Sequence, residues 1–180
     1  MVQGERVNIS LCIRNDVDYI IKWVEQMKLF EPNGMLIRHY KKGKFLAYNE
    51  AILREQMHKE TVNSDFSINI KDDRNVVSCL KNNVSSDVVI IRATLEDSIF
   101  EEHEEQIYAL INEIMIRTGI VGKIVSLEDS FWQNNIDLSI YKEENRSVEG
   151  IPIKEHPIFR GQTAVAVEKL PGYEVYIGNV

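Results

Sequence analysis

A change of period near the start of the chain limits the fold more than any other feature. Val7, Ile9, Leu11 and Ile13 alternate with Asn8, Ser10, Cys12 and Arg14, the two-residue repeat of a strand with one buried face. Directly afterwards Val17, Ile20, Ile21, Val24 and Met27 recur at helical spacing, so the next segment buries a stripe. Asn15 is placed to cap this helix, with Asp16 and Asp18 in its first turn against the macrodipole. The spacing predicts a helix over 16–29, stopped by Pro32-Asn33-Gly34.

The same alternation of elements continues. Segments 35–40 and 45–48 read as a hairpin around Lys42-Gly43, a register that would set 41 opposite 44, 39 opposite 46 and 37 opposite 48. A short helix from Asn49 turns Ile52, Leu53, Gln56 and Met57 inward. Phe66, Ile68 and Ile70 alternate again before the turn at Asp72-Asp73. The unbroken apolar run Val88-Val89-Ile90-Ile91, continuing to Leu95, predicts a central strand covered on both faces. A long helix is expected over 98–117, with Ile99, Ile107, Leu110, Ile111 and Ile114 on its stripe and Thr118-Gly119 as its stop. Strands are expected over 120–127, 136–141, 164–167 and 174–177. The fold class is therefore α+β: two split β-α-β-like units forming one antiparallel or mixed sheet with helices packed on it. The chain 1–180 is expected to be a single domain. Its pseudo-repeat would cover about 6–71 and 87–141, with a C-terminal loop and strand extension over 142–180.

Composition narrows the function. The hydrophobic fraction of 44% and charged fraction of 27% are those of a globular chain rather than a disordered one. Cys12 and Cys79 each sit in an apolar stretch, which favours core thiols over a bridge. No stretch approaches the roughly 18 apolar residues of a membrane span, and no secretory leader is visible. The expectation is a cytoplasmic chain with no membrane partner. The 28 acidic against 21 basic residues leave a net charge of −7, which opposes the phosphate neutralisation that nucleic-acid binding needs. The same balance suits steering toward a basic partner.

Three clusters stand out. In 96–105, Glu96, Asp97, Glu101, Glu102, Glu104 and Glu105 crowd the start of the long helix around His103. Glu101 and Glu105 have the spacing of paired ligands, but no second His or Cys completes a metal set. A docking face for a basic protein stands beside the plainer reading of solvated acids complementing a dipole. The segment 38–44, Arg-His-Tyr-Lys-Lys-Gly-Lys, is a basic patch that reads first as edge protection. The segment 142–162 holds two prolines and two glycines. It reads as a long irregular loop in which Glu155, His156 and Arg160 could serve a small pocket as base, acid and anion clamp.

No phosphate-cradling glycine loop, zinc-binding pair or nucleophile elbow occurs. Asp16-Val17-Asp18 follows a strand but sits where a helix wants acids, so capping is the better reading. No catalytic or metal residue is assigned and no cofactor is implied. The leading reading is a non-enzymatic, acidic protein-binding domain of inhibitor or immunity type. The alternative is a small enzyme or ligand-binding domain with its site under the 142–162 loop. A further reading is a homo-oligomer that pairs an exposed strand edge with a copy of itself.

Overall fold

The computed structural model describes residues 6–82, 87–126 and 174–177. Within them, eight strands and four helices alternate. The order is β1 (Arg6–Arg14), α1 (Val17–Gln26), β2 (Gly34–Ile37), β3 (Leu46–Ala47), α2 (Glu50–Glu60), β4 (Phe66–Lys71), β5 (Val76–Lys81), β6 (Val88–Glu96), α3 (Asp97–Glu102), α4 (Glu104–Arg117), β7 (Gly119–Ser126) and β8 (Glu174–Ile177). The strands form one sheet in the order β3-β2-β4-β5-β6-β1-β7-β8, and every neighbouring pair is antiparallel. The fold is α+β.

Strand directions follow from those pairings. β1 and β2 run the same way, joined through α1, with β6, β5 and β4 between them. β6 and β7 run the same way on either side of β1, joined through α3 and α4. Both are the split β-α-β crossings that the sequence pattern suggests. A smaller one, β3-α2-β4, straddles β2 at the sheet edge.

The helices cover one face. Ile9, Leu11 and Ile13 of β1, Val89, Ile91 and Leu95 of β6, and Phe66, Ile68 and Ile70 of β4 meet Ile20, Trp23, Leu53, Met57, Ile107 and Ile111 in one continuous core. The period-2 and period-3.6 residues are thus two sides of one apolar layer. Trp23 is fully buried, and its indole N–H donates to the carbonyl of Arg92 at 3.2 Å. On the opposite face, Cys12, Ile90 and Val121 make a smaller cluster, and Ser10 and Lys123 are also buried. β1 therefore has two buried faces over its second half, not the one that its alternation predicts. Cys12 and Cys79 are both buried free thiols; burial pushes the Cys12 thiol up to about 12, and raises that of Cys79 further.

Several expectations need correction. Asp16, not Asn15, caps α1: its carboxylate accepts the backbone N–H groups of Asp18 and Tyr19. Asn49 caps α2 as expected, accepting from Ile52 N–H at 3.0 Å. β5 is absent from the sequence reading, because Val76-Val77-Ser78-Cys79-Leu80-Lys81 follows no strict alternation of apolar and polar types. It nonetheless pairs on both sides, with β4 and β6, and buries Val77 and Cys79. The hairpin register also differs: Met35 pairs with Leu46 and Gly34 with Ala47. At Gly119, where α4 gives way to β7, an added Cβ would lie 2.5 Å from the Met115 Cα, so the tight exit from the helix excludes a side chain. The expected strands over 136–141 and 164–167 lie outside the described residues.

Candidate functional site

The acidic segment begins where β6 leaves the sheet. Asp72 closes the β4–β5 turn. Its Oδ1 accepts the backbone N–H groups of Arg74 and Asn75 at 2.7 and 2.6 Å, and both its oxygens accept from the Asn75 side-chain amide at 3.2 and 2.9 Å. Burial alone would raise the Asp72 carboxyl, but these hydrogen bonds outweigh it and hold the group below its ordinary value. Asn75 is itself buried, and its Oδ1 accepts the Glu96 backbone N–H at 2.8 Å. The Glu96 carboxylate turns to the Arg74 guanidinium at 2.6 Å. Glu96 occupies the N-cap position of α3 without a side-chain capping bond. It therefore anchors the acidic helix rather than offering a free charge.

Beyond Glu96, the single helix expected over 98–117 is two. α3 ends at Glu102, α4 begins at Glu104, and His103 between them takes φ −113° and ψ 17°. An unbroken helix would stack Glu101 over Glu104 and Glu105, and Glu102 over Glu105. Each such like-charge pair is destabilising by roughly 0.2–0.5 kcal/mol. The break at His103 interrupts that helical register, and Phe100 and Tyr108 bridge it edge to face, with ring centroids 6.1 Å apart at 76°. Glu101, Glu102, Glu104 and Glu105 are all exposed and line a shallow open concavity together with His103 and Gln106. None of the four carboxylates forms an ion pair among the described residues. Asp97 is partly buried in the first turn of α3.

The six acids named from sequence are thus one tied anchor, one half-buried first-turn residue and four outward charges. No group of three metal-ligating side chains occurs among the described residues. The arrangement can accept hydrogen bonds from ammonium and guanidinium groups. Glu155, His156 and Arg160 lie outside the described residues.

The basic segment 38–44 is the second cluster. Beyond β2, Lys41, Lys42 and Gly43 form a turn in which all three residues have positive φ: +48°, +63° and +61°. For a residue with a Cβ, this left-handed conformation costs about 1–2 kcal/mol. Gly43 fits because an added Cβ would meet the Arg38 carbonyl oxygen at 2.9 Å. Acids on neighbouring segments hold the turn. Asp65 takes the Arg38 guanidinium at 2.8 Å and the His39 ring at 3.5 Å. The buried Glu60 accepts the His39 backbone N–H at 3.3 Å. Burial raises the Glu60 carboxyl above its ordinary value, against the lowering effect of the N–H groups of His39 and Ser67. The basic composition was visible in the sequence; the tethering acids, 21 to 27 positions away, were not.

No protein-family model matches the chain, and no curated protein matches it significantly. Among solved structures, the Pseudomonas aeruginosa T6SS protein PA0821 shares the fold, with a TM-score of 0.54 at 13% sequence identity. The likeness covers 68% of this chain but only 43% of that one, so this chain matches less than half of its length. No helix among the described residues is long and apolar enough to cross a membrane.

Proposed function

We propose that this chain is a non-enzymatic protein-binding domain of inhibitor or immunity type, and that the kinked acidic helix start is its docking face for a basic protein. The observation that carries the reading is the exposure of Glu101, Glu102, Glu104 and Glu105 without internal counter-ions. They stand on a segment whose root is fixed by Asn75 and Arg74. Exposed charges held on a rigid base raise encounter rates with an oppositely charged surface and fix its orientation. The net charge of −7 acts in the same direction. The likeness to a T6SS protein is a likeness of fold, and it is compatible with an interaction role without assigning one.

The test compares the wild-type chain with its Glu101→Gln/Glu102→Gln/Glu104→Gln/Glu105→Gln variant as baits in host lysate. Captures run at about 50 mM and about 500 mM salt, bracketing the screening of surface charge. A basic protein retained by the wild type at low salt, released at high salt and missed by the variant supports the proposal. A partner held equally by both baits removes the acidic face from the interaction.

A further inference from the structure

The lysine turn is an uncompensated basic surface on an acidic protein. Lys22, Lys28 and Lys59 each sit against a carboxylate, on Glu113, Glu50 and Glu55 respectively. Lys41, Lys42, Lys44 and Lys71 form no ion pair among the described residues. Two of them lie over aromatic rings instead, Lys41 on Tyr40 at 5.8 Å and Lys71 on Phe45 at 5.0 Å. Phe45 is 53% exposed, an unusual position for a large aromatic beside a run of cations. Two left-handed lysines, clamped through Arg38 and His39 by Asp65 and Glu60, form a surface held in one shape. A solvated lysine tip needs no such strain; a recognition surface gains from being preorganised.

We propose that this turn docks an acidic polypeptide surface, and that the surface it takes is the kinked acidic helix of a second copy of this chain. The inference rests on reading that helix as an interaction face, and it gives the face a further occupant, the local basic turn of a chain that is acidic as a whole. Charge complementarity carries the choice. Four exposed glutamates within five residues on one copy match three exposed lysines within four residues on the next, with the exposed Phe45 alongside. A nucleic acid presents phosphates along an extended track and calls for a long basic path, which a single turn does not supply.

The two surfaces lie at opposite ends of the strands. α3 leaves the sheet where Arg6 pairs with Glu96. The lysine turn follows the far end of β2, which runs parallel to β1. A single contact between these unlike surfaces is heterologous and adds copies head to tail, whereas two such contacts made reciprocally close an antiparallel pair. With a net charge of −7 on each copy, self-association is weak and depends on concentration, because long-range repulsion opposes the local attraction.

Sedimentation velocity on the full chain tests this in salt of about 0.15 M, where charges beyond about 8 Å are screened. Two charge-reversed variants accompany the wild type: Lys41→Glu/Lys42→Glu/Lys44→Glu, and Glu101→Lys/Glu102→Lys/Glu104→Lys/Glu105→Lys. The wild type is expected to sediment faster as concentration rises toward about 1 mM, the weak end of specific binding. Each reversed variant alone should stay at the monomer value, and an equimolar mixture of the two should recover the association. Circular dichroism confirms that both are folded, and neutral versions with Gln at the same positions should weaken association partway.

A wild type that stays monomeric throughout overturns the inference. So does association that survives either reversal, or a mixture that does not recover it. Binding of a single-stranded oligonucleotide that the lysine reversal abolishes would overturn the choice of occupant. A monomeric chain that still captures a basic protein through its glutamates refutes self-docking while leaving the proposed function standing.

Discussion

The side-chain oxygen of Asn75 accepts the backbone N–H of Glu96 at 2.8 Å, tying the β4–β5 turn to the residue from which the acidic helix starts. The Asn75 amide nitrogen is spent on Asp72, so one buried side chain both closes its own turn and ties that turn to Glu96. Asn75→Ala would leave a partly buried N–H and part of a partly buried carboxylate without partners. We expect a loss of about 2–3 kcal/mol in urea unfolding, the scale of unsatisfied buried polar groups. A change under about 0.5 kcal/mol would show that water replaces the amide at no cost.

Glu60 sets a pH dependence of the opposite sign to that of an ordinary paired acid. Its carboxyl is raised above 4.5, first by burial and then by the nearby Asp65 carboxylate, against the His39 and Ser67 N–H groups that lower it. A raised acid contributes stability that is fully present below its unfolded value and is lost as pH rises through its folded value. The stability of Glu60→Gln relative to the wild type should therefore move in favour of Gln as pH rises from about 4 into the neutral range. The direction holds whatever fixed offset the amide brings. A flat or falling difference in chemical denaturation across that range would contradict it.

Asp72 provides the contrasting case. Burial works against its charge, but the bonds from Asn75 and Arg74 prevail and lower its pKa. Its contribution is present above the ordinary value of 3.8 and is lost as pH falls through the folded value. Asp72→Asn should reduce stability at pH 7 and make acid unfolding less steep. An acid limb identical to that of the wild type would rule out this carboxylate as a contributor.

Backbone strain in the lysine turn predicts opposite outcomes at adjacent residues. Lys42→Gly relieves a side chain held at φ +63° and should be neutral or stabilising by up to about 1 kcal/mol, less the added freedom of the unfolded chain. Gly43→Ala places a Cβ 2.9 Å from the Arg38 carbonyl oxygen and should cost more than about 1 kcal/mol. Thermal unfolding of the two variants measures the contrast. If both shift the midpoint alike, the turn is not strained in this way.

Neutralising the four exposed glutamates should leave the fold standing. Glu101→Gln, Glu102→Gln, Glu104→Gln and Glu105→Gln together remove like-charge crowding and break no ion pair among the described residues. Stability should be unchanged or rise slightly, while association with a basic partner slows. A destabilisation of several kcal/mol would make these side chains structural and end their role as a docking face.

Apolar periodicity is a property of neighbouring residues, and it was enough to locate α1, α2, β1, β4, β6 and β7 and to assign the α+β class. It also marked the acidic run and the lysine turn, because composition is local. What it could not supply was anything that depends on residues distant in the chain. β5 lacks a clean alternation and is a strand because β4 and β6 pair with it on both sides. The break at His103 sits inside a pattern that reads as helix throughout, and Phe100 and Tyr108 pack across it. Glu96 looked like one more surface acid until Arg74 and Asn75, 22 and 21 positions earlier, were folded against it. The sequence by itself determined most of the helices and strands and where charge gathers, since those follow from the side chains of each segment. Tertiary structure alone decided strand order, the second buried face of β1, and which charges are tied and which are free. Those depend on burial and on partners that only the folded chain brings together.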